Sequence, residues 1–546
     1  MSEPIDWVRP PRRVHTAGEL SAWLRARGLG QTSHLDLGRR ESTAKWDAAD
    51  LAAVPELDGI LSLDVTFNYL GPTGVKRLVK SPYLSHLTRL DLGWNDIGPE
   101  GVKAVAKSTH LPRLATLGLS ATSWTDIADV KDLLDSPHLP HLTALDLSWA
   151  DLGAQAIRTL VTWPELGRLI ALNLAATGGF QRLNDDDAGV LASCPYLANL
   201  VDLNLGYNKI GERGVRALAQ SPYLANLTTL DLAWNENINA GAMRALATSS
   251  YLTCLTSLLV WGHRMGSAGA IALAASPSLA GLTTLDLGGN AYDCTADELI
   301  GPEGVQALAL SPYLAHLTTL DLRGSNPGRP GFTALASSPY LTRVERLGLR
   351  GTVRGSEGME ILAGSPNLAS VRTLDVSNNA LGPTGAHALA LSPYVTGVEM
   401  LDLFSNALGD EGVRVLTASP RLSALKRLSL NRNGIGPGGA AALAEARYLD
   451  SLVYLNLSDN PLGPEGARIL AASTHLPCLT ALDYHWTGSG NEGHGLLSAR
   501  FGGGHSRRLQ RHHRAISGPN RPERPMRAEG EGRLPQPWRG RHGHGR

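Results

Sequence analysis

Acidic and aromatic side chains recur at matched offsets in the stretches LDLGWN (90–95), LDLSWA (145–150) and LDLAWN (230–235). Asp and Trp at that spacing suit ion-pair and cation–π contacts with a partner rich in Arg or Lys. The acidic position holds Asp64, Asp91, Asp146 and Asp231, with Asp also at 36, 286, 321, 375, 402 and 483. The aromatic position holds Phe67, Trp94, Trp149, Tyr207 and Trp234, and Trp261 stands one place earlier in its own stretch. Glycine then fills the position at 289, 324 and 351, so the aromatics read as confined to the N-terminal half. Large aromatics on an open face are typical interface anchors and lose little side-chain entropy on binding. The alternative is that they pack on one another as structure. The Asp residues also have two readings: a ladder that attracts a basic partner, or inherited copies whose mutual repulsion solvent screens.

Other chemistry-bearing groups are weaker. Asp185, Asp186 and Asp187 lie in one long insertion (178–189), and Asp293, Asp297 and Glu298 in another (291–304). A calcium site needs a compact ring of oxygens, and this spacing matches no such loop. Acidic residues beginning a helix explain both runs better. The Gly98-Pro-Glu-Gly101 type of stretch lacks the Lys-Ser/Thr of a phosphate loop, and neither a Gly-x-Ser-x-Gly elbow nor a His-Glu-x-x-His pair occurs. His263 stands where a turn-forming Asn is expected and reads as a turn residue. Arg323, Arg350 and Arg354 read as a charged surface. The expectation is therefore no catalytic residue, no cofactor and no metal.

What positions these residues is a repeat. The pattern Leu-x-x-Leu-x-Leu-x-x-Asn runs in register seventeen times, its last position falling between residues 40 and 487. The step is 27 or 28 residues, except from 177 to 208 and from 290 to 325. Asn fills the last position nine times, as at Asn68, Asn95 and Asn433, and Thr or Ser substitutes at Thr122, Thr177, Ser325, Thr352 and Thr487. The Leu-x-Leu alternation predicts a short strand with one buried face, and the Asn side chain satisfies backbone where the chain turns away. A Gly-Pro-Glu-Gly stretch then starts a helix, for which VQALALSPYL (305–314) offers Val305, Leu308 and Leu310, ended by Ser311-Pro312. One repeat cannot bury its own apolar face, so the copies must stack into a parallel sheet backed by helices.

Units such as LTRLDLGWNDIGPEGVKAVAKSTHL (87–111) and LVYLNLSDNPLGPEGARILAASTHL (452–476) resemble leucine-rich repeats of the ribonuclease-inhibitor type, a class shared with NOD-like receptor arrays and Ran GTPase-activating proteins. Their uniformity also resembles bacterial expansions of the class. The resemblance implies an α/β leucine-rich repeat solenoid, a horseshoe with a parallel β-sheet on the concave side and α-helices on the convex side. In function it implies a protein-binding scaffold, or a regulator of an enzyme such as a nuclease inhibitor or small-GTPase activator.

The domain reading is an N-terminal segment with a capping helix (1–33), the solenoid (34–499) and an Arg/Gly/His-rich tail expected to be disordered (500–546). In the cap, Thr16 would start a helix whose Leu20, Trp23 and Leu24 pack on the first repeat. The tail holds twelve Arg, no Lys and three Glu in a chain of zero net charge, so residues 1–499 carry an excess of nine acidic groups. Its abrupt composition also fits a shifted reading frame. Four scattered cysteines, no apolar run long enough to span a bilayer and no secretory signal suggest a cytoplasmic protein. The expected partner is a protein with a basic surface, nucleic acid entering only through the tail, and the chain is expected to be a monomer.

Overall fold

A computed structural model describes residues 8–501, apart from 9, 11–13, 15, 28–33, 39–45, 123–126, 151, 153–154, 178–181, 236, 290–297 and 353–354. Arg39, Arg40, Asn290, Asp293, Asp297, Arg354 and residues 502–546 thus lie outside the described residues.

Each repeat contributes one three-residue strand. The first nine are β1 (His34–Asp36), β2 (Ser62–Asp64), β3 (Arg89–Asp91), β4 (Thr116–Gly118), β5 (Ala144–Asp146), β6 (Ala171–Asn173), β7 (Asp202–Asn204), β8 (Thr229–Asp231) and β9 (Ser257–Leu259). The rest are β10 (Thr284–Asp286), β11 (Thr319–Asp321), β12 (Arg346–Gly348), β13 (Thr373–Asp375), β14 (Met400–Asp402), β15 (Arg427–Ser429), β16 (Tyr454–Asn456) and β17 (Ala481–Asp483). Each pairs in parallel with the next, and the register repeats: Leu63 opposes Leu90, and Asp64 opposes Asp91. The crossovers are helical, as parallel pairing requires, and the fold is an α/β leucine-rich repeat solenoid of about seventeen repeats. Val8 bridges to β1, its N–H donating to the His34 carbonyl at 2.8 Å.

The alternation produces one continuous core. Leu90 and Leu92 are buried with Val102 and Val105 of the following helix, Gly98–Ala106. Gly98 takes φ +54, in the left-handed region that suits glycine, and Pro99 then opens the first turn. Gly101 is needed for packing: a Cβ there would stand 2.8 Å from the Ile97 Cβ. The helix expected to use Val305, Leu308 and Leu310 runs Pro302–Ala309 and buries Val305, Leu308 and Ala309 instead. Leu310 is a correction. It caps the helix and is 54% exposed, because the helix ends one residue before it.

Two polar ladders tie neighbouring repeats together. Asn433 Nδ2 donates to the Leu430 carbonyl of its own repeat and the Leu403 carbonyl of the one before, both at 2.9 Å. Its Oδ1 accepts the Asn406 N–H at 2.9 Å and the Leu408 N–H at 3.3 Å. A threonine in the Asn column does less: Thr177 Oγ1 donates to the Leu174 carbonyl at 2.8 Å. His263 also serves the turn, Nε2 donating to the Leu232 carbonyl at 2.9 Å. At the helix ends, serines such as Ser311 and Ser419 donate to the last-turn carbonyls of Ala274 and Ala390 in the preceding repeat, each at 2.5 Å.

At the N-terminal side, helix Ala17–Arg27 begins at Thr16, whose Oγ1 accepts the Glu19 N–H at 3.2 Å while Glu19 returns an acceptor to the Thr16 N–H at 3.1 Å. Leu20 and Leu24 are buried, and Trp23 is half-buried against the core.

Candidate interaction surface

The strand residues that alternate with the buried leucines form the sheet face turned away from the helices. Two columns on it were singled out by sequence, and the structure places them differently.

The aspartates are drawn down into the face rather than displayed on it. Asp64 and Asp231 are buried and Asp91 and Asp146 are half-buried. Each carboxylate is engaged by the backbone two residues on. Asp64 Oδ1 accepts the N–H and Oγ1–H of Thr66 at 2.9 and 2.7 Å. Asp91 accepts the Gly93 N–H at 3.1 Å, Asp146 the Ser148 N–H at 2.8 Å and Asp231 the Ala233 N–H at 2.9 Å. They therefore shape the bend that leaves each strand, an Asx-turn role. Burial removes the solvent screening on which the inherited-copy reading of these aspartates relied. Desolvation first, then the charges of Asp64 and Asp146, pushes the Asp91 carboxyl up to about 7. Desolvation likewise raises Asp231 to about 7 and lifts Asp146.

The aromatic column becomes one unbroken row. Phe67 stacks on Trp94 with centroids 5.0 Å apart; Trp94 meets Trp149 at 6.4 Å, and Trp149 meets Tyr207 at 5.8 Å. Tyr207 stacks on Trp234 at 5.6 Å, and Trp261 stands edge-on to Trp234 at 5.4 Å. Two of these contacts cross an intervening repeat, over Ala121 and Ala176, whose small side chains leave room for the flanking rings to lean together. Phe67, Trp94, Trp149, Tyr207 and Trp234 have φ between 56 and 59°, left-handed backbone that is costly for any residue but glycine. Trp261 stands one place before the column position. Gly262 takes the column position with φ +84°, and the Trp234 ring packs so close over it that a Cβ there would lie 3.2 Å from the ring. Trp94 remains 37% exposed, and Tyr207 is the most buried of the six.

Several residues were missed or misread. Trp486 fills the same column in the last repeat and is 86% exposed, which corrects the confinement of aromatics to the N-terminal half. The repeat frame contained the signal, since residue 486 precedes Thr487. Phe404 occupies the offset of Trp261. Of the charged surface assigned to Arg323, Arg350 and Arg354, Arg350 is exposed and Arg354 lies outside the described residues, whereas Arg323 is a correction. Arg323 is buried, Nη2 pairing with Asp286 Oδ2 at 2.6 Å and also with Asp321, while its guanidinium lies 5.4 Å over the Trp261 ring. It closes the aromatic row instead of forming a surface charge.

The described part of the first acidic insertion is spent on helix ends. Asn184 and Asp187 form a capping box for helix Asp185–Ala192. Asp185 Oδ1 accepts the N–H groups of Gly211 and Gly214, at 2.6 and 2.9 Å, at the start of the next helix. Arg213 pairs with Asp186 at 2.7 Å. Among the described residues, no group of three or more His, Cys, Asp or Glu is placed to hold a metal ion, and no helix is long and apolar enough to cross a membrane.

A Leucine Rich repeat family model matches residues 83–106, 138–161, 196–219, 223–247, 367–390, 398–416, 423–444 and 450–471. These segments are leucine-rich repeats, and the solenoid around them continues the same unit. No curated protein matches the chain. Among solved structures it is similar to the Rad7 and Elc1 complex of yeast, at 19% identity over 58% of this chain and 77% of that one, TM-score 0.42. It is also similar to a leucine-rich repeat protein of Leptospira interrogans, at 18% identity over 85% of this chain and 98% of that one, TM-score 0.37. An internalin of Listeria monocytogenes matches at 18% identity, covering 85% and 94%, TM-score 0.31.

Proposed function

We propose that the protein is a non-enzymatic scaffold that binds a protein partner with a basic surface on the concave face of the sheet, over β2–β9. Phe67, Trp94, Trp149, Tyr207, Trp234 and Trp261 are the anchors, and Asp64, Asp91, Asp146 and Asp231 bias the face from beneath. The observation that carries this reading is the row itself: six rings in mutual contact, five of them on backbone that glycine would adopt at lower cost. A packed row is already ordered, so a partner loses little entropy in ordering it. The ribonuclease-inhibitor-like subtype, a cytoplasmic site of action and a monomeric state belong to the same proposal.

The test is affinity capture from lysate with the full chain beside a variant carrying Trp94→Ala, Trp149→Ala and Trp234→Ala. A prey held by the first and lost by the second, at unchanged far-UV circular dichroism, supports the reading. Capture of the same set by both makes the row structural. Loss of the prey only on removal of 502–546 moves binding to the tail, and steep salt dependence would then point to nucleic acid.

A further inference from the structure

We propose that the same sheet face carries a second binding area, over β12–β16, that takes an acidic peptide segment by its carboxylates. This area goes beyond the aromatic row and prefers the opposite charge. Arg346 and Arg427 open strands β12 and β15, and Arg350 and Arg432 follow the same two strands, so all four project on the sheet face turned away from the helices. Arg346, Arg350 and Arg432 are exposed and Arg427 is half-buried. Of these four arginines, only Arg432 has a carboxylate among the described residues within ion-pair reach, Asp459 Oδ2 at 3.3 Å.

Three of the guanidiniums are held as flat forks against rings. Arg350 and Arg432 lie 5.6 and 5.8 Å from the Phe404 centroid, and Arg427 lies 5.2 Å from that of Tyr454 on the paired strand. Asn378 fixes Arg350 further, its side-chain oxygen accepting from Nε and Nη2, both at 2.9 Å, in the amide orientation that satisfies its neighbours. A planar fork braced this way retains donors for a carboxylate and loses little rotamer freedom on using them.

The surrounding charges select the ligand. The carboxylates on this part of the face lie low: Asp402 is buried, and Asp375 and Asp483 are half-buried. A continuous polyanion would run against Asp375, Asp402 and Asp459, whereas discrete carboxylates can reach the arginines and miss them. β12 and β15 are three strand spacings apart, roughly 14 Å, which an extended peptide spans in about four residues. The segment that fits is therefore extended, with acidic residues about four positions apart.

The experiment is fluorescence anisotropy on the full chain. The probes are a fluorescein-labelled peptide with two glutamates four residues apart, its glutamine counterpart and a single-stranded oligonucleotide. The expected result is tighter binding of the glutamate peptide, weakened roughly tenfold by Arg350→Gln or Arg432→Gln alone and roughly a hundredfold by both, since each charge-assisted bond lost is worth about tenfold. Arg346→Ala, an exposed change that leaves the packing intact, should weaken it in the same direction, and Trp94→Ala should not. Equal binding of the two peptides overturns the proposal. So does binding that survives all the arginine replacements, which would lie elsewhere, the arginines of 502–546 included. Tighter binding of the oligonucleotide with the same arginine dependence also overturns it, in favour of a nucleic-acid site.

Discussion

A tryptophan in left-handed backbone is an expensive residue, and Trp94 holds that conformation at φ 59° with more than a third of its surface open. Its stabilising contacts are two rings, Phe67 and Trp149, each worth about 0.5–1.5 kcal/mol. Glycine at 94 forfeits both contacts and recovers about 1 kcal/mol of backbone strain. Trp94→Gly should therefore lower unfolding free energy by no more than about 2 kcal/mol in urea titration. If the row is a binding site, partner affinity falls much further. His263 supports a second prediction at this scale. Burial, only partly opposed by its backbone hydrogen bonds, pushes its pKa down to about 4. The unfolded chain takes up that proton near 6.5, so stability is lost as pH falls from about 6.5 toward 4. His263→Asn should restore the column's usual donor and stabilise the protein more at pH 5 than at pH 7.5, as read from urea midpoints.

At the scale of the element, the unit of cohesion is the turn after each strand. One Asn side chain there satisfies groups from two consecutive repeats. Asn433→Ala leaves the buried Asn406 and Leu408 N–H groups without their acceptor, while the Leu403 and Leu430 carbonyls keep Asn406 Nδ2 at 3.1 Å and Asn460 Nδ2 at 2.9 Å. Each orphaned buried N–H costs about 1–3 kcal/mol, so local stability around β14–β16 should fall by about 2 kcal/mol or more. Amide hydrogen exchange is the suitable measurement, because a repeat array can open locally without unfolding throughout. Ser311→Ala removes one cross-repeat bond and should cost only about 1 kcal/mol. The strand, the turn residue and the helix start were all legible, because each depends on residues within a few positions. The helix end at Ala309 was not, since Leu310 continues an apolar pattern that the backbone has already left.

Over the whole molecule, the aspartate column makes stability depend on pH. Asp91, Asp231, Asp286 and Asp375 are each pushed up to about 7, chiefly by desolvation. The folded chain keeps protons that the unfolded chain releases near 3.8. Their contribution is therefore complete at the acid end and is lost as pH rises toward 7 and just beyond. Four such groups outweigh the single opposing histidine, so the urea midpoint should be higher at pH 5 than at pH 8. Asp231→Asn, which keeps the acceptor for the Ala233 N–H, should reduce that difference by raising stability at pH 8. Binding of a basic partner on β2–β9 should move the other way and strengthen from pH 6 to pH 8, as Asp91 and Asp231 ionise; titration calorimetry at the two pH values checks it.

The sequence by itself determined the repeat, the parallel strand order, the buried leucine face and the outward column on which Asp and Trp fall. Each follows from a local period: two residues along a strand, and about 27 from one copy to the next. Only the tertiary structure decided how deep those columns lie. Asp231 is buried because backbone and neighbouring side chains close over it. Trp94 touches Trp149 because Ala121 between them is small. Arg323 is withdrawn from the surface because two aspartates from successive strands converge on it. A periodic sequence specifies which way a side chain points, whereas its exposure and partners depend on the size and charge of the residues one and two repeats away.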